Sequence, residues 1–361
     1  MSDLILLCAG ALADRSSGPA TGGFEAAADA ARLRLPDPLG ALLRAARVVS
    51  DAQDDALVPD ELPHERWLRG HFGAPADVSI EACAAAEYGL TAGAWRLTPV
   101  HIQVGHDRMR LLDPDQLALT PEHARALAEA ASPGLAEAGF TLDAHAPNAW
   151  FMHGDRRPHW HARAWTLAVG RSIDAYLPAG PEARLWRRLF TEVQMAWHEH
   201  PVNGARAAAG LPAVNAVWLD GWSQPFTASA SAGCMVSDDP ALRGLARHAG
   251  WQALAPDPAA TVAAPVPPQA AGQATIVDLA FWRRARRNGD AAHWHDGWRR
   301  FAAWLTPLAA GAWPAGVDTL RLVLSGERRC LTLTLPRRGR WLPWRRIDAR
   351  RLLLDPGQGA A

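Results

Sequence analysis

Residues 198–221 read "HEHPVNGARAAAGLPAVNAVWLDG", and the fold turns on whether they form a phosphate-handling site, the scaffold of a lost one, or ordinary packing. Val214–Leu219 is an apolar run of strand length, and Asp220-Gly221 reads as its end. In α/β sheets the carboxyl ends of strands are where ligand and catalytic groups gather. Asn215 is a polar side chain inside that run and needs a partner, backbone or ligand, once buried. On a functional reading His200, Asn203, Arg206, Asn215 and Asp220 face a ligand. On a structural reading Asn203 caps a short helix that stops at Gly210, Arg206 pairs with an acid, and Asn215 ties a neighbouring loop.

The flanking sequence alternates helix and strand signals, which predicts an α/β fold. Leu4–Leu7 reads as a buried first strand, although "MSDLILLCAGALAD" mimics a leader without a basic start. A helix is expected near Pro38–Arg47. "ELPHERWLRGHFG" gives another, with Pro63 in its first turn and Gly73 as its stop. "WRLTPVHIQVGHDRMRLLDP" predicts two short strands turning at Gly105-His106-Asp107. "LTPEHARALAEAA" starts a helix with Thr120 as cap, Pro121 first and Glu122 against the dipole. In "ARLWRRLFTEVQMAWHEH" the residues Trp186, Leu189, Phe190, Val193 and Trp197 make one apolar stripe that Pro201 ends. "SDDPALRGLARHAG" is a helix starting at Ser237 or Asp238 and stopping at Gly250, and "DTLRLVLSGERRCLTLTL" is a hairpin turning at Ser325-Gly326. The organisation expected is an α/β core from 1–89 and 171–252, an inserted α+β subdomain over 90–170 and a Pro/Ala linker over 253–273. A basic segment over 274–361 completes the core.

Composition removes several chemistries. The chain of 361 residues has no Lys, so a P-loop lysine, a Schiff-base lysine and pyridoxal-phosphate chemistry are excluded. Formal net charge is zero, yet residues 281–351 hold 16 Arg against 5 acids, leaving 21 Arg against 32 acids elsewhere. That segment either docks on the acidic remainder or meets an anion. Its runs "FWRRARRNG" and "RRGRWLPWRR" interleave Arg with Trp as nucleic-acid binders do, but no nucleic-acid-reading module is visible, so nucleic acid is the lesser reading. Cys8, Cys83, Cys234 and Cys330 are far apart and read as buried thiols of a cytoplasmic protein. No apolar run reaches membrane-spanning length, and no feature fixes the oligomeric state.

Further polar groups are candidates. His159/His161, His198/His200 and His293/His295 are His-x-His pairs. Such a pair shares a face on a strand but spreads by about 200° on a helix. "PHWHARAW" is the one of the three expected to be extended, with Asp155 nearby. His101, His106 and Asp107 could meet across the Gly105 turn, although 101 and 106 differ in parity. His64, Glu65 and Arg66 open a helix: His64 could serve as acid–base group and Arg66 as anion clamp, or the segment is a charged face over Trp67 and Leu68.

His200-Pro201-Val202-Asn203, Arg206, Gly210, Asn215 and Leu219-x-Gly221 together resemble a signature of the archaeal-type cofactor-independent phosphoglycerate mutases of the alkaline-phosphatase superfamily. "EACAAAEYGLTAGAWRLTPVHIQV" followed by "LTPEHARALAEAA" is similar to the start of their inserted domain. "LPHERWL", "EVQMAWHEHPVN" and "SDDPALRGLARHAG" bring the whole nearer to RpfE-type regulatory proteins, over roughly residues 1–250. The resemblance implies an alkaline-phosphatase-like core sheet flanked by helices, with a β-rich inserted subdomain. In the enzymes two metal ions held by Asp and His activate a Ser nucleophile.

This chain departs from that pattern. Its first strand ends in "LLCAGAL" where the enzymes have a metal-binding Asp-Gly. The nucleophile's place reads "PHERWL", with Ser50-Asp51 the nearest substitute. The late Asp-His-Ser-Thr-Pro motif has no counterpart after residue 250, and Asp220-Gly221 stands where the enzymes have Arg-Gly. The resemblance therefore implies a non-catalytic regulatory protein that binds a small phosphorylated or acidic metabolite or a protein partner, without cofactor. The alternative is a mutase or phosphotransferase needing Mn or Zn, with His64, Glu65 and Ser50 as catalytic candidates. His159, His161, His101, His106 and Asp107 would then be its metal candidates.

Overall fold

The apolar strand Ser2–Cys8 is the middle member of a seven-stranded sheet. Its order is Gln252–Leu254, Gly233–Val236, Ala274–Asp278, Ser2–Cys8, Val317–Ser325, Arg329–Pro336, Arg47–Gln53. The structure, a computed structural model, describes residues 2–13, 39–40, 42–43, 46–105, 108–228, 232–257, 273–337 and 353. The first five strands of the sheet run parallel; Arg329–Pro336 returns antiparallel to Val317–Ser325, and Arg47–Gln53 pairs antiparallel with it at the edge. Leu4, Leu6 and Cys8 pack in one cluster with Trp282, Trp294, Trp298 and Phe301. Ile5 and Leu7 alternate to the opposite face and are also buried. Burial on both faces is what a parallel sheet flanked by helices demands, and it explains the unbroken apolar run. The helix Pro63–Phe72 lies against Val317–Ser325 and Arg329–Pro336, ending where Gly73 takes a left-handed φ of 68°.

The chain divides into two compact units. The first takes Met1–Gly73, Ala228–Asp239 and Ala249–Ala361, and it contains the seven-stranded sheet. The second takes Ala74–Thr227 and Pro240–His248. Its sheet has four antiparallel strands ordered Phe140–Ala146, Ala149–Gly154, Ala94–Val100, Ala216–Ser223. Ile102–Val104 and Met109–Leu111 form a separate small hairpin there. The helices Pro121–Glu137 and Ala183–His198 supply Leu127, Ala131, Trp186, Leu189 and Trp197 to this unit's core. Thr120 caps the first of them, its hydroxyl accepting from His123 N at 3.2 Å. This unit extends beyond residues 90–170 because Ala216–Ser223 pairs with Ala94–Val100, a partner more than 100 positions earlier.

Four local expectations need correction. The strand does not stop at Asp220-Gly221: Leu219 faces Leu97 and Gly221 faces Arg96, so Asp220 is the extra residue of a bulge and pairing continues to Ser223. His200, not Asn203, caps the Pro201–Ala208 helix, its Nδ1 accepting from Val202 N at 3.2 Å, and Asn203 lies inside the helix. Arg47 belongs to the edge strand rather than to a helix from Pro38. The Ser237–Asp239 segment precedes the helix, which begins at Pro240. Most of the 253–273 linker lies outside the described residues.

Candidate functional site

Three candidates grip one loop of the second unit, and a fourth, Asn215, lies at its end. Arg206 is fully buried, and its Nε donates to Pro212 O at 2.8 Å. Arg206 Nη2 donates to Leu117 O at 2.5 Å, so carbonyls are among its partners. His101 Nδ1 donates to Ala213 O at 2.7 Å. Asn203 Nδ2 donates to Trp197 O and Val214 O, while its Oδ1 accepts from Val214 N at 2.8 Å. Asn215 continues the pattern with both polar atoms on Ile102, accepting from its N at 2.7 Å and donating to its O at 2.9 Å. These polar side chains satisfy backbone groups in and around the irregular stretch 211–215, in which Val214 is buried.

Asp220, turned inward by the bulge, has no exposed side-chain surface. Its Oδ1 accepts from Trp165 N at 2.8 Å and its Oδ2 from the Thr98 hydroxyl. Arg96 Nε stands 4.0 Å away and the Arg96 guanidinium also pairs with Glu81. Burial pushes the Asp220 carboxyl up to about 7 against the pull of Arg96, and Glu81 adds to the rise.

The remaining candidates are dispersed. Glu65 Oε2 accepts from Leu62 N at 2.7 Å, closing the first turn of its helix. Arg66 is exposed and pairs with Asp54 at 2.6 Å and Glu61 at 3.3 Å. Ser50 sits opposite Thr332 on the exposed edge strand. His159 and His161 flank an irregular stretch in which His161 makes a single bridge to Ala179. His198 ends a helix that His200 follows, and His293 and His295 lie on the helix Ala291–Ala309. His106 and Asp107 lie outside the described residues. Among the described residues no group of three His, Cys, Asp or Glu is arranged to hold a metal ion.

A denser polar group lies at the carboxyl ends of the parallel strands in the first unit, the place where α/β sheets put their sites. Cys8 ends the first strand, Asp278 ends Ala274–Asp278, Ser237 follows Gly233–Val236, and Ser325 ends Val317–Ser325. The Ser237 hydroxyl donates to Asp278 Oδ2 at 2.6 Å. Arg283 donates to the same oxygen at 2.7 Å, to Asp239 Oδ2 at 2.7 Å and to Asp238 Oδ1 at 3.0 Å. Burial pushes Asp278 up to about 6; Arg283 opposes the rise, while Asp239 and Asp238 add to it. His64 comes into this group as a buried side chain, its Nδ1 3.4 Å from the Ser325 hydroxyl. Burial, aided by Arg283, pushes His64 down to about 3, which keeps it neutral. Cys8 is held far above the usual thiol range by burial and by Asp278, so it is not a thiolate.

The sequence reading reached His64 but not Asp278, Ser237, Ser325 or Arg283 as a group. The available signal was positional: "LILLC", "GCMVS", "ATIVD" and "RLVLS" are all apolar runs that close on a polar or thiol residue. The Arg run that suggested an anionic partner is partly consumed inside the protein. Arg283 meets three aspartates, and Arg286 donates to Leu12 O at 3.2 Å. Arg329 makes a two-pronged pair with Asp51 at 2.7 Å.

The arrangement is an α/β fold with a large central sheet flanked by helices, the class expected for an alkaline-phosphatase-like core. The chain shares this fold with the PH0037 protein from Pyrococcus horikoshii, at 13% identity and a TM-score of 0.50, over 91% of this chain and 86% of that one. It is also similar to the cofactor-independent phosphoglycerate mutase from Thermoplasma acidophilum. There the identity is 14% and the TM-score 0.44, over 97% of this chain and 95% of that one. In sequence, 94 residues are 30% identical to the 2,3-bisphosphoglycerate-independent phosphoglycerate mutase of Methanothrix thermoacetophila. That match spans 24% of this chain and 24% of that protein's length. No family model matches the chain. Among the described residues no helix is long and apolar enough to cross a membrane.

Proposed function

We propose that the chain is a non-catalytic regulatory protein of the RpfE type on a phosphoglycerate-mutase-like scaffold, acting by binding a partner rather than by phosphoryl transfer. The observation that carries this reading is the state of the hydroxyls at the strand ends. Ser237 and Ser325 are fully buried, one bonded to Asp278 and the other against a neutral His64. A nucleophile has to be open to its substrate, and both hydroxyls are buried. The divalent metal that the enzymes use also does not fit this edge. The first strand offers a protonated thiol in place of a carboxylate, and Asp278 is already engaged by Arg283.

The partner is a protein or a small phosphorylated or acidic metabolite. The group at the sheet edge has more carboxylates than cations, which favours the protein partner over an anion there. Four buried cysteine thiols, none of them in a disulfide, agree with a reducing cytoplasm as the setting. The test is conversion of 3-phosphoglycerate to 2-phosphoglycerate with Mn²⁺ added. The reading expects no conversion above background. Turnover that disappears in Ser237→Ala or Ser325→Ala would establish the metal-dependent mutase instead.

A further inference from the structure

Asp278 carries an unusual burden for a side chain with no exposed surface. Its Oδ2 takes the Ser237 hydroxyl and one arm of Arg283, while its Oδ1 is buried with no hydrogen-bond partner. A carboxylate oxygen buried without a donor is costly unless a cation stands close by. Asp278 is also not alone. Ala274–Asp278 and Gly233–Val236 are neighbouring parallel strands with Val277 level with Val236, so Asp238 and Asp239 emerge beside it. Three carboxylates thus share one end of the sheet, and the cation among them is supplied by the chain itself. Arg283 opens the Arg283–Arg287 helix five residues after Asp278. Its Nη2 reaches Asp278 at 2.7 Å and Asp238 at 3.0 Å, while its Nη1 reaches Asp239 at 2.7 Å. The fork of a guanidinium suits this task, because it offers separate donors to separate carboxylates where an ammonium offers a point charge.

We infer that Arg283 is the resident cation of this sheet edge. Its guanidinium gathers Asp278, Asp238 and Asp239 as a divalent ion would, and the group stands without metal. This goes beyond the regulatory reading, since a chain built this way could lack metal and still bind any partner.

The experiment has two arms that fail separately from the turnover assay. Wild-type protein and Asp278→Asn are titrated calorimetrically with MnCl₂, and their melting is followed with and without EDTA. The expected result is no saturable Mn²⁺ binding and no shift of the wild-type melting temperature with EDTA. Saturable binding to the wild type that is lost in Asp278→Asn would overturn the inference. In the second arm Arg283→Gln is compared with Arg283→Gln/Asp278→Asn. Loss of the cation leaves the buried Asp278 carboxyl beside Asp239 and Asp238 with no counter-charge from Arg283, so Arg283→Gln is expected to melt roughly 5–10 °C lower. The double variant should regain at least half of that loss, because it removes the carboxylate that needed the cation. If both melt alike, or if the double variant is the worse of the two, Arg283 does not serve Asp278 as its cation. Should Arg283→Gln fail to fold, the Mn²⁺ titration of the wild type still decides the matter.

Discussion

The backbone N–H of Trp165 donates to Asp220 Oδ1 at 2.8 Å, which ties a buried carboxylate to the start of the Trp165–Ala168 turn of helix. Asp220 holds its proton up to about 7 in the folded chain, against about 4 for an unfolded Asp. The folded state therefore binds the extra proton between those values. Stability from this group is present at low pH and lost as pH rises through about 7. Asp220→Asn is expected to remove a fall of on the order of a few kcal/mol between pH 5 and 8. Urea unfolding of both proteins across that range measures it; equal slopes would rule the assignment out.

His64 acts with the opposite sign. Its folded value of about 3 lies below the usual histidine value of about 6.5, so the stability of keeping it neutral is complete above 6.5 and fades as pH falls toward 3. Asp278, raised to about 6, gains in that same interval. In His64→Asn the acid-labile contribution is gone. The gap in unfolding free energy between wild type and variant should narrow steadily from pH 6.5 to pH 4. A gap that stays constant would show that His64 is not held neutral.

Gly221 is the residue that permits the bulge. Its φ of 130° is strained for any side chain, and a Cβ there would lie 2.5 Å from Ser79 Cβ. Gly221→Ala should cost about 3 kcal/mol, combining strain and overpacking. Adding Ser79→Gly should recover only part of the overpacking share, because it also removes the Ser79 hydroxyl that donates to Asp220 O at 3.1 Å. Complete recovery in the double variant would mean that the backbone angle imposes no cost.

Asn203 makes three hydrogen bonds to Trp197 and Val214 in a buried setting. Asn203→Ala strands those backbone groups and should destabilise the second unit by about 3 kcal/mol. Thermal and urea unfolding report that loss. Unchanged stability would return Asn203 to the list of ligand-facing groups.

Local features of this fold were legible in the sequence because local forces make them. Thr120 and Pro121 start a helix through a cap and a fixed φ, and Gly73 ends one through its left-handed conformation. Leu4–Leu7 reads as a buried strand because both of its faces are covered. What could not be read locally was strand partnership. Nothing within 198–221 says that Gly221 will face Arg96, and that pairing turns Asp220 from a strand end into an inward bulge. The sheet-edge group was hidden for the same reason. Cys8, Asp278 and Ser325 end three separate strands and Ser237 follows a fourth, and only the parallel register places them together. His64 stood out as a helix-opening histidine, but its partner Ser325 lies 261 positions away.

At the carboxyl ends of the parallel strands Arg283 stands among Asp278, Asp239 and Asp238, and the proposal that it takes a metal's place there can be measured. Crystals soaked in MnCl₂ and measured at the manganese absorption edge test it most directly. The expected result is the Arg283 guanidinium between Asp278, Asp239 and Asp238, with no anomalous peak among those carboxylates. A strong peak there, with Arg283 swung away, would contradict it and would return the chain to the metal-dependent mutases.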